Sequence, residues 1–292
     1  MARQFLVRCS VVGALLLTLV APSPADEAIK KSAAQALVTA DRILVIAHRG
    51  DSKVAPENTL PAFQSAVDVG SDLVELDYVH TKDGVPLVIH DDTLDRTTNA
   101  RQIFGGEKIP VASKTLQELA PLDAGEWFGK NFRGTRLPTL DQSLDVIQRG
   151  SVTLIERKKG DAKTCYELLR SKDLLDEVVV QAFDWDFLAD FHQLAPHVAL
   201  GALGHDELTD AKIAAVKRTG ATVVGWQQDQ LDQAGVNKLH DAGYRVWAWT
   251  VDNLGRADEL ADMGVNGIIT NIPKQVKALD LAYEKKAAAV AE

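Results

Sequence analysis

Cysteine is almost missing from this sequence, which has two in 292 residues, Cys9 and Cys165. Cys9 falls in an N-terminal segment with the layout of an export signal. A processed chain would keep Cys165 alone, which excludes an intramolecular disulfide and a cysteine-based zinc site. Cys165 shares an apolar helical stripe with Leu168 and Leu169 and reads as a buried, inert thiol. Positive charge is also short: 32 Lys and Arg face 41 Asp and Glu, for a net charge of −9. That argues against nucleic acid and anionic membrane surfaces as partners, since both need a positive field. An anionic ligand must therefore be drawn in by local cations. Aromatic residues make up only 6%, and the loops that follow the strand-like runs are mostly polar, which weighs against insertion into lipid. No repeat or low-complexity tract occurs.

One apolar run stands out, Val11–Val20, about half of what a bilayer span needs. It follows Arg3 and Arg8 and ends on Ala21-Pro22-Ser23-Pro24-Ala25, with small residues where a signal peptidase reads. Met1–Ala25 is thus expected to be a cleaved signal peptide, and the protein to be periplasmic or secreted without stable membrane insertion. No cysteine follows the run for lipid attachment. Residues 26–292 are long for two small domains and comfortable for one α/β barrel.

Asp26–Asp41 reads as a short amphipathic helix. After it, β-branched runs recur at Ile43–Ala47, Leu73–Tyr78, Pro86–His90, Val152–Glu156, Val178–Gln181, Val198–Leu203, Ala221–Trp226, Arg245–Thr250 and Gly267–Thr270. Helical periodicity lies between most of them, as at Asn58–Val69, Asp161–Arg170, Asp210–Thr219 and Leu254–Met263. Such alternation predicts βαβ units and a parallel sheet. The runs are one too many for an eight-stranded barrel. Between Tyr78 and Pro86 there is no room for a crossover helix, and Asp83-Gly84 is a hairpin signal. The third run is therefore expected to pair antiparallel with the second, outside a parallel (β/α)8 barrel. Residues 93–138, with one helical pattern at Ser113–Leu119, are expected to form a small insertion that caps the barrel mouth.

The chemistry gathers at strand ends, where a barrel carries its active site. His48-Arg49-Gly50 follows the first run, and a guanidinium there suits bidentate grip of a phosphate. Glu75 and Asp77 lie two apart on one strand and share a face. Two carboxylates there repel unless a cation lies between them, and a hard divalent ion fits best. With Asp83-Gly84 as a two-residue turn, Lys82 pairs with Val85 and Asp77 with His90, which sets His90 beside the carboxylates. Glu156, at another strand end, is a third candidate ligand, and Lys158 a second phosphate contact; alone, these two could equally be a surface charge pair. Trp249 could wall a substrate pocket. His80, His192, His197, His205 and His240 carry no such case, and Trp185 and Trp226 read as packing.

His48-Arg49-Gly50, Pro56-Glu57-Asn58-Thr59, Glu75-x-Asp77, Thr81-x-Asp83-Gly84, His90-Asp91 and Arg96-Thr97-Thr98 together resemble the glycerophosphodiester phosphodiesterases, in that family's order and spacing. Glu156-x-Lys158, Gln181-Ala182-Phe183, Trp247-x-Trp249-Thr250 and Gly267-Ile268-Ile269-Thr270 extend the resemblance to about Pro273. It departs at Ala182, where Ser is common, and at Asn271, where an acidic residue is common. The resemblance implies a distorted barrel with an insertion, and hydrolysis of small glycerophosphodiesters to glycerol 3-phosphate and an alcohol. It implies His48 and His90 as the acid–base pair, and Glu75, Asp77 and Glu156 as ligands of one Ca²⁺ or Mg²⁺. Arg49 and Lys158 would hold phosphate, with Glu57 near the metal and the sugar-alcohol end. Which histidine is the acid is left open, as is a metal-ligand role for His90. So is the choice between water and the substrate's own hydroxyl as the attacking group. The rivals are a phospholipase of the same barrel, acting on phosphatidylinositol or sphingomyelin, and a non-catalytic phosphodiester-binding protein.

Overall fold

A computed structural model describes residues 33–279, so the expected signal peptide and the start of the Asp26–Asp41 helix lie outside the described residues. What is described of that helix spans Ala33–Val38. Nine strands form one sheet among the described residues. They are β1 (Leu44–Ala47), β2 (Leu73–His80), β3 (Pro86–Val88), β4 (Val152–Arg157), β5 (Val178–Ala182), β6 (Ala199–Gly204), β7 (Val223–Gln227), β8 (Arg245–Trp249) and β9 (Gly267–Thr270). All but β3 run parallel, in the order β1-β9-β8-β7-β6-β5-β4-β2, and β2 pairs back onto β1 to close the barrel. β3 lies antiparallel on β2, outside the closed ring. No helix among the described residues is long and apolar enough to cross a membrane.

Alternation along the strands sorts the side chains into two apolar layers. Leu44, Ile46, Leu73, Leu154, Val179, Val223, Trp247 and Ile269 cluster inside the barrel. Val45, Val74, Leu76, Val180, Val246 and Ile268 face outward and pack under the helices. Both faces being buried is why the strands are continuous Val/Ile/Leu runs. Continuing each interior set two residues towards the strand end replaces apolar groups with polar ones. Ile46 leads to His48, Leu73 to Glu75 and Asp77, Leu154 to Glu156 and Lys158, Val179 to Gln181, and Ile269 to Asn271.

The β2–β3 hairpin corrects one expectation. Its register pairs Tyr78 with Val88, Val79 with Leu87 and His80 with Pro86, one residue off the expected pairing of Asp77 with His90. The loop holds three residues, Lys82-Asp83-Gly84, between Thr81 and Val85, with Thr81 N–H donating to Val85 O at 3.0 Å. The Thr81 hydroxyl decides this. It accepts from Val85 N–H at 2.9 Å and donates to Asp83 Oδ1 at 2.6 Å. Gly84 takes the left-handed conformation (φ 79°) that such a loop needs at its third position. Ile89 N–H therefore donates to Asp77 O at 3.0 Å, and His90 lies one residue beyond.

Between β3 and the helix Leu140–Ile147 the chain builds a small unit of its own. It holds a helix at Ala100–Phe104 that the sequence pattern did not indicate, and one at Leu116–Leu119 closed by a Thr115/Glu118 capping box. Leu94, Ala100, Val111, Leu119 and Leu122 pack against Val79, Leu87 and Ile89 of the hairpin.

Candidate active site

β1 ends at Ala47, and His48 N–H still continues the ladder, donating to Thr270 O at 2.8 Å. The chain then turns sharply through two left-handed residues, Arg49 (φ 57°) and Gly50 (φ 81°). Gly50 is required twice over. Its φ disfavours any side chain, and an added Cβ would lie 2.7 Å from the carbonyl carbon of Ala62. Gly50→Ala is expected to destabilise the fold by about 2–4 kcal/mol, from left-handed strain plus overpacking. Urea unfolding checks this, and an unchanged midpoint would contradict it.

That turn aims Arg49 at the carboxylates. Its backbone N–H donates to Glu75 Oε2 at 2.7 Å, its Nη1 to Glu57 Oε1 at 2.9 Å, and its Nε lies 3.4 Å from Asp77 Oδ2. Asn58, from the same loop, donates to Asp77 Oδ2 at 2.8 Å and accepts from Asp77 N–H at 3.1 Å. Glu156 on β4 is in register with Asp77 on β2, so the two carboxylates face the interior side by side. Glu75, Asp77 and Glu156 each offer an oxygen within 4.8 Å of the others'. All three are buried, and Glu75 Oε1 and Asp77 Oδ1 have no hydrogen-bond partner. Burial, with Asp77 and Glu156 close by, pushes the Glu75 carboxyl well above its usual range. Burial and the Asp77 charge push Glu156 up to about 7.

Lys158 stands between this cluster and His90. Its Nζ donates to Glu156 Oε1 at 2.7 Å and lies 3.8 Å from Asp77 Oδ1 and 3.3 Å from His90 Nε2. Burial works against its charge, but Glu156 and Asp77 outweigh that and raise its pKa. His90 Nδ1 is 2.8 Å from Asp91 Oδ1. Arg96 then clamps two elements together, reaching Asp91 with Nε at 2.7 Å and Glu57 with Nη1 and Nη2 at 2.8 Å each. Burial opposes ionisation of Glu57, but the Arg96 bonds and the Arg49 charge bring it down to about 2.

On the opposite wall His48 Nδ1 is 2.8 Å from Asn271 Oδ1. Burial first, then the Arg49 charge, lowers its pKa to about 4. His48, Arg49, His90, Glu156, Lys158, Gln181, Phe183 and Trp249 line one cavity of about 80 Å³. It shares His90, Glu156, Lys158 and Phe183 with an open groove of about 680 Å³. Phe183 meets Trp249 edge-on, with ring centroids 5.4 Å apart.

The structure thus gathers every residue singled out from the sequence. Six of them, His48, Arg49, His90, Glu156, Lys158 and Trp249, line the cavity; Glu75 and Asp77 lie against Arg49, and Glu57 backs its guanidinium. His90 does not sit against Asp77, since the Lys158 ammonium lies between them. Sequence reasoning gave no role to Asn58, Asp252, Asn271 or Phe183. Phe183 had a signal, because Val179, Gln181 and Phe183 share the interior parity of β5. Asp252 had none, since its contact with Asn271 depends on how the loops after the adjacent strands β8 and β9 fold, which no local pattern records.

Comparison with known proteins agrees with this geometry. Residues 48–275 match the model of the glycerophosphoryl diester phosphodiesterase family. A glycerophosphodiester phosphodiesterase of Caldanaerobacter subterraneus subsp. tengcongensis is 35% identical over 240 residues, covering 80% of this chain and 96% of that one. One from Bacillus subtilis is 33% identical over 260 residues, covering 81% and 86%. The phosphodiesterase of Oleispira antarctica, solved in complex with the product sn-glycerol-3-phosphate, superposes with a TM-score of 0.74 at 28% identity, covering 80% of this chain and 95% of that one. With the barrel and the clustered carboxylates, these matches establish that the chain belongs to the glycerophosphoryl diester phosphodiesterase family, a family of hydrolases.

Proposed function

We propose that this protein hydrolyses small glycerophosphodiesters to glycerol 3-phosphate and an alcohol, with His48 and His90 moving the protons and Arg49 and Lys158 holding the phosphate. One observation carries the reading. Two imidazoles, each anchored through Nδ1, share a cavity with two cations and border three buried carboxylates. A protein that only bound phosphodiesters would need the cations but not a second imidazole.

The carboxylate set suits a hard divalent cation, Ca²⁺ or Mg²⁺, because all its donors are oxygens and two buried ones lack partners. Glu75, Asp77 and Glu156 would hold it. When bound, it would supply Lewis-acid neutralisation of phosphoryl charge. The charge balance agrees, since three carboxylates exceed the two cations Arg49 and Lys158, and a divalent ion reverses the sign in favour of an anionic diester.

The residues divide the remaining work. Arg49 and Lys158 neutralise charge that builds on the phosphoryl oxygens. One imidazole takes the proton of the attacking hydroxyl or water as its oxygen bonds to phosphorus. The other protonates the leaving alkoxide as its P–O bond breaks. Lys158 must swing from His90 Nε2 to the phosphate for that nitrogen to serve. The 93–138 unit caps the mouth through Arg96, and Trp249 and Phe183 give the cavity an aromatic wall.

Incubating the protein with glycerophosphocholine, with and without chelator, tests the reading. Release of glycerol 3-phosphate that stops with chelator and returns with Ca²⁺ or Mg²⁺ is expected. No turnover of this substrate, with cleavage of phosphatidylinositol instead, would favour the phospholipase alternative. The pH profile is a second check. A base must be unprotonated to work, and His48 stays neutral down to about 4 instead of its ordinary 6.5. At saturating cation the acidic limb of kcat/KM is therefore expected well below pH 6.5. A limb at or above 6.5 would count against His48 as the base.

A further inference from the structure

An imidazole–amide contact has two readings, with the ring as donor or as acceptor, and the amide's orientation decides between them. For His48 the surroundings of Asn271 make that decision. Asn271 Nδ2 donates to Asp252 Oδ2 at 2.7 Å, and Asn271 backbone N–H donates to Asp252 Oδ1 at 2.9 Å. An ionised carboxylate only accepts, so the amide nitrogen must face Asp252 and the amide oxygen must face His48. Ser52 bridges the two residues, its hydroxyl 2.8 Å from the same Asn271 Oδ1 and 2.9 Å from His48 O, with one proton to give to either. Opposite an oxygen, Nδ1 of a neutral His48 must carry the ring proton. Nε2 then keeps its lone pair.

We propose that Asp252, Asn271 and Ser52 are positioning residues that hold His48 in the Nδ1–H tautomer and so make its Nε2 the proton acceptor of the reaction. The proposal rests on the phosphodiesterase reading above and decides between its two histidines. As the attacking oxygen bonds to phosphorus, its proton passes to His48 Nε2. The P–O bond to the leaving group breaks, and the departing oxygen takes its proton from His90. The partners differ between the two rings: a neutral amide faces Nδ1 of His48, whereas a carboxylate, Asp91, faces Nδ1 of His90 and an ammonium, Lys158, faces its Nε2, which Lys158 must vacate before that nitrogen can serve the leaving oxygen.

Nuclear magnetic resonance of the full chain labelled with ¹⁵N-histidine reads the tautomer directly, with the His48 signals assigned by their loss in His48→Ala. Wild-type His48 is expected as Nδ1–H at neutral pH. In Asn271→Ala it should move towards Nε2–H, with kcat lowered about 10²-fold and KM within about twofold. Asn271→Asp combined with Asp252→Asn, which keeps an accepting oxygen towards His48 and a donor–acceptor contact between positions 252 and 271, should retain Nδ1–H and recover much of kcat. A wild-type His48 found as Nε2–H overturns the proposal, and so does an Asn271→Ala protein with unchanged tautomer and kcat. Should Asn271→Ala fail to fold, the wild-type tautomer still decides. An active His48→Ala enzyme would overturn the reading on which the proposal rests even with the tautomer as expected, so the two failures are told apart.

Discussion

His48→Ala is expected to lower kcat for glycerophosphocholine by about 10²–10⁴-fold, the usual worth of a positioned acid or base. KM should change little, because Arg49 and Lys158 keep their places. The fold should survive. His48 ends a strand whose ladder bond uses the backbone, and Asn271 Oδ1 keeps its Ser52 donor, so a loss of about 1 kcal/mol is expected. His90→Ala should lose a similar factor. The double variant should be little worse than the worse single one, because acid and base serve one transition state and their losses do not add. Steady-state kinetics beside thermal melts check all three. A single variant within tenfold of the wild-type rate would remove that histidine from the chemistry.

The second large effect concerns stability and runs against habit, because Glu75→Gln is expected to stabilise the chelated protein. Glu75 is fully buried with Oε1 unpartnered, and it faces Asp77 and Glu156. Gln removes the cost of either ionising Glu75 against those neighbours or keeping it protonated in the fold, and its amide oxygen can still accept from Arg49 N–H. A gain of about 1–3 kcal/mol without cation is expected. The same change should abolish turnover and the cation-induced rise in melting temperature, which for a ligand at 100 times its Kd is worth about 2.7 kcal/mol. The pH dependence has a definite sign. Glu156 titrates at about 7 in the fold, against its ordinary 4.5. A raised carboxyl pKa adds stability that is present at low pH and lost as pH rises through the folded value. Chelated protein should therefore melt higher at pH 6.5 than at about pH 8. Below pH 6.5 His48 works the other way, because its folded pKa is depressed to about 4. A melting temperature that falls between about pH 8 and 6.5 would contradict the buried-repulsion argument.

The barrel was legible because parallel strands buried on both faces must be written as unbroken apolar runs. The ninth run betrayed itself through a link too short for a crossover. Strand parity also made Glu75 and Asp77 readable as neighbours, since it depends only on spacing within one strand. The hairpin register was not readable in the same way. Asp-Gly serves both a two-residue and a three-residue loop, and the Thr81 hydroxyl chose the longer one. His90 still reaches the cavity, brought there by the chain beyond β3 and met by Lys158, not by a cross-strand partner. The contact between Asn271 and Asp252 depends on two neighbouring loops at the mouth, which no local pattern encodes. The helix at Ala100–Phe104 is five residues long, too short for periodicity to declare itself.

The Arg96 clamp carries a kinetic consequence. Its guanidinium joins Asp91, which steadies His90, to Glu57, which steadies Arg49. For the 93–138 unit to lift away from the barrel, both carboxylates must be released together, so the supports of His90 and Arg49 loosen in one event. Excursions of that unit and losses of catalytic alignment are then the same excursion, with one rate and one free energy. Amide exchange in the unit's backbone therefore reports how often the supports of His90 and Arg49 are both released.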